Sequence, residues 1–298
     1  MDSRHPPTAR VRFAPGFGAR VASFALAQAA NRRTPREDFA SSSAAVAAGS
    51  GEFAGRRRYR PGDDLRAFDW EAFARGGGEH VRLSRRESGE RWSVVLDSSA
   101  SMAIGLPEHP PKIQLAAELA LALCAVGLCA GGQVSLATER GILELRSQAD
   151  LARAMGALDG LECSGSLGFE PWFRHRALAR ASRCIAIGDL FDVDPAQVAL
   201  HAARRRRMDA VCVLARVELA PLAESESGSS VEWRDPESGA SLVARLGERE
   251  AARYSAALAL HHRHWRASLA RVGGELVIAR AGDPFEPHAA QLLRGRRA

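Results

Sequence analysis

Four short runs, "WSVVLD", "CIAIGD", "DAVCVLAR" and "GELVIAR", are apolar almost without interruption, as strands buried on both faces are. Between them the period changes. Over residues 112–130 the apolar positions Ile113, Leu115, Leu119, Leu123 and Val126 recur at helical spacing. "QADLARAMGALDGL" predicts a second helix, and "PAQVALHAARRRR" a third that starts at Pro195, a favoured first-turn residue. "QVSLAT" and "GILELR" read as strands around a tight turn at 139–141, and 231–246 as a small hairpin. A long helix over about 247–272, the strand "GELVIAR" and a terminal helix from Pro284 complete the pattern. Apolar strands alternating with helices predict an α/β fold, a mostly parallel sheet with helices on both faces.

Ahead of this domain, 91–298, the pattern is weaker. Residues 1–48 read as a partly flexible N-terminal segment with a short helix in "GARVASFALAQAANRR" and a small-residue loop in "SSSAAVAAGSGEF". Residues 49–90 read as strands and a short helix carrying Trp70, with Asp63 or Asp64 of "RPGDD" as its cap, and this preamble is expected to pack on the main domain.

The strand "SVVLD" runs straight into "SSASM", a turn without the usual Gly, Pro or Asn. Asp97-x-Ser99-x-Ser101 sets three oxygen-bearing side chains on alternate residues, able to point into one concavity. "IAIGD" likewise ends in an acid, Asp189. Ligands of parallel sheets bind beyond the carboxyl ends of the strands, at a topological switch point, so both acids fall on the functional edge. Carboxylates and hydroxyls without His or Cys are hard ligands, suited to Mg²⁺, with Mn²⁺ or Ca²⁺ as alternatives. A hydroxyl from the "CSGSLG" loop would add to the set. The plainer alternatives are that Asp97 and its serines cap the next turn, and that Asp189, Asp192 or Asp194 caps the helix at Pro195.

Composition narrows the classes. The 298-residue chain carries a net charge of +6, and Lys112 is its only lysine. The arginine runs at 56–58 and 204–207 lack interleaved aromatics and match no groove-reading motif, so nucleic-acid binding is not expected. The run at 204–207 reads as a helix end, and His261, His262 and His264 as a solvated helix face. Five widely spaced cysteines suit buried free thiols in a reducing cytosol. The longest apolar run, "LALALCAVGLCA", falls short of the roughly 20 residues a spanning helix needs, and the start of the chain has no signal-peptide core. A cytoplasmic protein without a transmembrane segment is expected. A haloacid-dehalogenase-type phosphatase needs an acid where Ser99 stands, and neither G-x-S-x-G nor a phosphate-binding loop occurs.

Asp97-x-Ser99-x-Ser101 after an apolar strand, with the later strand-end Asp189, resembles the metal-ion-dependent adhesion site of von Willebrand factor A domains. "GSGEFAGRRRYRPGDDLRAFDWEAFAR" followed by "ESGERWSVVLDSSASM", with "IGDLFD", "DPESG" and "RVGGELVIARAGDPFEPHAAQLLRGR", is similar to bacterial domain-of-unknown-function family fifty-eight, from about residue 49 to the C-terminus. The resemblance implies a von Willebrand factor A-like (Rossmann-like) fold and a metal held by Asp97, Ser99, Ser101, Asp189 and a second-loop hydroxyl. Those domains commonly use threonine on that loop; here Ser166 is the counterpart, with Ser164 second. It further implies a non-enzymatic, Mg²⁺-dependent protein-binding module, whose partner supplies an acidic residue to the metal and whose partner system includes a MoxR-type AAA+ ATPase, with the chain as adaptor or co-chaperone. The alternative function is a metal-dependent phosphoester hydrolase using the same strand-edge site.

Overall fold

The computed structural model describes residues 9–32, 52–60, 65, 68–85, 90–105, 109–165, 169, 180–191, 194–195, 207–219, 230–245 and 247–294. In chain order the elements are α1 (Phe17–Arg32), β1 (Glu52–Arg58), α2 (Trp70–Ala74), β2 (His80–Arg85) and β3 (Arg91–Leu96). A 3₁₀ turn at Ala100–Ala103 leads to α3 (Lys112–Cys129), β4 (Gln133–Thr138), β5 (Gly141–Leu145), α4 (Asp150–Leu158) and β6 (Arg183–Gly188). Then come β7 (Arg207–Leu214), α5 (Arg216–Leu219), β8 (Ser230–Arg234), β9 (Ser241–Arg245), α6 (Glu248–Ala270), β10 (Leu276–Arg280) and α7 (Phe285–Arg294). The helix expected from Pro195 falls mostly on residues outside those described, as do Asp63 and Asp64.

All four continuous apolar runs lie in one six-stranded sheet of order β10-β7-β6-β3-β4-β5. Every pairing in it is parallel except β4 with β5, which a two-residue turn joins antiparallel. Burial on both faces accounts for the missing polar alternation. Val94 and Leu96 of β3 enter the core shared with α3, while Val95 enters a second core with Trp265 and Leu269 of α6. The same alternation divides β6, with Ile185 and Ile187 on one side and Cys184 and Ala186 on the other. The protein is therefore α/β, with a mostly parallel central sheet and helices on both faces.

Helix α3 is the centre of the first core. By length and composition alone it could cross a membrane, but 83% of it is buried inside the fold. Its apolar residues run all round because α1, α4, α7 and the sheet enclose it. All five cysteines are free thiols, and Cys124, Cys163, Cys184 and Cys212 are buried.

The chain forms two compact units, one of Met1–Gln28 with Glu90–Ala298, the other of Ala29–Gly89. In the smaller unit β1 and β2 pair antiparallel, with a register shift between Phe53 and Gly55. Its helix α2 is capped by Asp69, whose Oδ1 accepts the Ala72 N–H at 2.9 Å. Asp69 lies directly before Trp70, so the cap falls closer to the helix than "RPGDD".

In the larger unit the N-terminal segment is built into the core. Phe17, Val21 and Ala25 are buried, and Phe17 stacks on Phe13 at 4.9 Å and meets the Phe285 ring edge-on at 5.6 Å. Val11 exchanges backbone hydrogen bonds with Gly160 and Leu161, both at 3.0 Å. Phe17→Ala is therefore expected to lower unfolding free energy by about 3 kcal/mol, the low end for a buried Phe. Denaturant unfolding checks this, and an unchanged midpoint would show that this segment contributes nothing to the core.

Candidate functional site

The chain runs from β3 to β4 in one direction along the sheet, then returns to place β6 on the other side of β3. The switch point thus lies between β3 and β6, and Asp97 and Asp189 follow the carboxyl ends of those two strands. Asp97 N–H extends the ladder to Ile187 O at 2.9 Å. The approach is close enough to need glycine at 188, where a Cβ would stand 2.7 Å from that of Asp97.

Beyond the strand, Asp97 Oδ1 accepts the Ser99 N–H at 2.9 Å, which folds the chain back into the 3₁₀ turn. Ser99 and Ser101 hydroxyls lie 3.1 Å apart, and Ser101 Oγ donates to Asp189 Oδ2 at 2.7 Å. The structure therefore places Asp97, Ser99, Ser101 and Asp189 on one edge. The loop containing "CSGS" is zipped to the first loop by Ala100 N–H to Gly165 O and Ser164 N–H to Ser98 O, both 3.0 Å. Ser164 Oγ donates to Glu139 Oε2 at 3.4 Å; Ser166 lies outside the described residues.

The sequence pattern did not reveal the cation at this edge. Lys112, the first residue of α3, is wholly buried, and its Nζ donates to Asp189 Oδ2 at 2.8 Å and to Glu218 Oε1 of α5 at 2.7 Å. Burial lowers the lysine pKa, but Glu218 and Asp189 more than offset this, so the group stays charged. A lone lysine opening an otherwise apolar helix was the available signal. Glu218 offered none.

Three carboxylates around one ammonium leave two negative charges on a water-poor edge. Asp97 feels the excess, and burial, then repulsion from Asp189, pushes its carboxyl up to about 7. A divalent cation would neutralise that excess, and the oxygen-only donors suit Mg²⁺, which keeps several waters when few protein ligands are offered. Among the described residues no three or more of His, Cys, Asp and Glu converge as metal ligands. Any ion here would therefore rest on carboxylates supplemented by the Ser99 and Ser101 hydroxyls and water.

The turn after Asp189 is strained. Leu190 has φ 64°, a left-handed conformation costly for a residue with a Cβ. It is held from α6, where His261 Nε2–H donates to Leu190 O at 3.1 Å, and from β7, where Cys212 Sγ–H donates to Asp189 O at 3.2 Å. His261 is thus engaged and His262 buried, rather than both lying on a solvated face. Packing of Trp265 and Leu269 in the second core turns this helix surface toward the Asp189 turn, where His261 donates to Leu190 O. Arg207, expected at a helix end, instead opens β7 and joins Arg183 on the buried Asp209 carboxylate, at 3.0 and 2.7 Å. Those ions sit at the amino ends of the strands, remote from the site.

The family model described as a protein of unknown function, DUF58, matches residues 55–264. The chain belongs to the DUF58 family. In this DUF58 protein the matched span holds every site residue just described but stops short of β10 and α7. No curated protein matches the sequence. A solved structure of an aerotolerance-related membrane protein from Bacteroides fragilis is similar at 14% identity and a TM-score of 0.42, over 70% of this chain and 98% of that one.

Two outcomes follow from the charges. Lys112→Met would strand two buried carboxylates and is expected to cost the fold about 3–5 kcal/mol by denaturant unfolding; a loss below about 1 kcal/mol would show the pair to be solvated. With chelator present, Asp97 holds a proton in the folded state between about pH 4 and about 7 that the unfolded chain releases. Stability should therefore fall as pH rises through that window, by up to about 1.4 kcal/mol per unit. Asp97→Asn should remove this component, and identical pH profiles for the two proteins would refute the shift.

Proposed function

We propose that this DUF58 protein is a non-enzymatic, divalent-metal-dependent protein-binding module of von Willebrand factor A type. One observation carries the reading: two strand-end carboxylates and two hydroxyls share a buried edge at the switch point with uncompensated negative charge. Asp97, Ser99 and Ser101 would hold Mg²⁺, with Asp189 acting directly or through the Ser101 hydroxyl and water. When bound, the ion supplies a coordination position that a partner's carboxylate can fill.

The chain's own residues set the rest. Ser99 N–H orients the Asp97 carboxylate, and Lys112 pairs with Asp189 without adding a second mobile cation. The Leu190 turn fixes the direction of Asp189. Among the described residues at this edge, His261 is not free to act as a general base, its Nε2–H being committed to Leu190 O, and the position two residues after Asp97 is a serine. This favours adhesion over phosphoester hydrolysis. Assignment of the partner to a MoxR-type AAA+ ATPase, with this chain as adaptor or co-chaperone, is supported by the family resemblance alone.

Purified protein should retain a MoxR-type AAA+ ATPase from the same cell in Mg²⁺ and release it in chelator. Asp97→Ala should abolish that retention while the metal-free melting temperature holds or rises, since one of two repelling acids is gone. Ser101→Ala should weaken retention less, because only a neutral donor is lost. Retention that survives both chelator and Asp97→Ala would sink the mechanism.

A further inference from the structure

A continuous run of hydrogen bonds joins Lys112 to Asp97. Asp97 Oδ1 accepts the Ser99 N–H, the Ser99 and Ser101 hydroxyls lie 3.1 Å apart, and Ser101 Oγ donates to Asp189 Oδ2 at 2.7 Å. The same Oδ2 accepts from Lys112 Nζ at 2.8 Å, and Nζ also donates to Glu218 Oε1 at 2.7 Å. The other oxygen of Asp189 accepts the Phe191 N–H, at 3.4 Å. The ammonium is held in place. Its side chain is wholly buried, and the Lys112 N–H donates to Ile104 O at 3.2 Å. Glu218 is itself fixed, because its Oε2 accepts the Ala215 N–H at 2.7 Å.

A divalent ion bonded directly to Asp189 Oδ2 would share that oxygen with the ammonium and be repelled by it at close range. The Ser101 hydroxyl offers another route, since its proton goes to Asp189 while its oxygen can still accept an ion. Charge balance gives the ammonium a second effect. The three carboxylates on this run and their one cation leave two negative charges, which a divalent ion would just neutralise. With a neutral residue at 112 the same ion would be outweighed by its surroundings. A further carboxylate arriving from outside would then meet net negative charge.

We propose that Lys112 is the specificity-determining residue of this site, a resident cation that loosens the ion's hold on Asp189 and leaves its charge available to one external carboxylate. The inference rests on the metal-binding reading above and deepens it. The ion would be carried by Asp97, Ser99 and Ser101, with Asp189 engaged through the Ser101 hydroxyl. Lys112 would thereby trade metal affinity for affinity toward an acid.

Two titrations of the full chain test this: Mg²⁺ by calorimetry, then acetate against the Mg²⁺-saturated protein, read from its amide resonances. Lys112→Met should bind Mg²⁺ about tenfold or more tighter and acetate about tenfold or more weaker. Glu218→Gln removes an acid from the far side of the ammonium and should do the reverse, with Mg²⁺ weaker and acetate tighter. A lysine needed only for folding would not produce this opposed pair of shifts. Should Lys112→Met not fold, Glu218→Gln decides alone. Mg²⁺ affinity lost in Asp97→Ala but unmoved in Glu218→Gln would overturn this inference and leave the metal site standing. So would Mg²⁺ and acetate affinities that move together in either variant, or acetate that wild type binds no better with Mg²⁺ than without. Wild type that binds no Mg²⁺, or binding indifferent to Asp97→Ala, would overturn the metal reading and this inference with it.

Discussion

Bringing Asp97 and Asp189 to one dry edge is electrostatically unfavourable, and the Lys112 ammonium makes it tolerable. Each of these charges has left water, a cost recovered only where the geometry is good and the remaining hydrogen-bonding capacity is filled. Lys112 meets two carboxylates within 2.8 Å, and Ser101 fills part of the Asp189 capacity. The offset is incomplete, because one cation stands among three acids. Asp97 is the group that carries the deficit.

That deficit depends on backbone features that have nothing to do with charge. Glycine at 188 lets β3 and β6 end side by side with Asp97 against the neighbouring strand. The left-handed Leu190 turns the chain sharply after Asp189, and His261 and Cys212 hold it from two different elements. The second core, with Trp265 and Leu269 of α6, is what positions that helix and its histidine. Packing on one face of the sheet therefore fixes the direction of an acid on its edge.

Much of the architecture was legible because both-face burial writes itself as continuous apolar runs. "SVVLD" and "IAIGD" gave their strands and the acids at their ends, and the helical spacing from Ile113 gave α3. What escaped was set by contacts distant in sequence. Lys112 read as a helix-start residue, since nothing local reveals that Glu218, 106 positions on, closes around it. His261 read as surface because the carbonyl it serves belongs to a turn 71 residues earlier. Residues 9–28 looked weakly patterned, yet Phe17 and Val21 are core because Phe285 and α3 lie opposite them.

Lys112 also shows what composition hides. Basic charge elsewhere in this chain is carried by arginine, so a lysine at this point is not what the bulk pattern favours. Geometry supplies the reason. A guanidinium is a wide plane with five donors, and a wholly enclosed site would have to satisfy each of them. The ammonium is compact, with three donors, and reaches Asp189 and Glu218 from the first turn of α3 without a plane to accommodate. A short, fixed cation instead confines its charge to Asp189 and Glu218. That leaves Asp97 free to respond to whatever second cation, proton or metal ion reaches the edge.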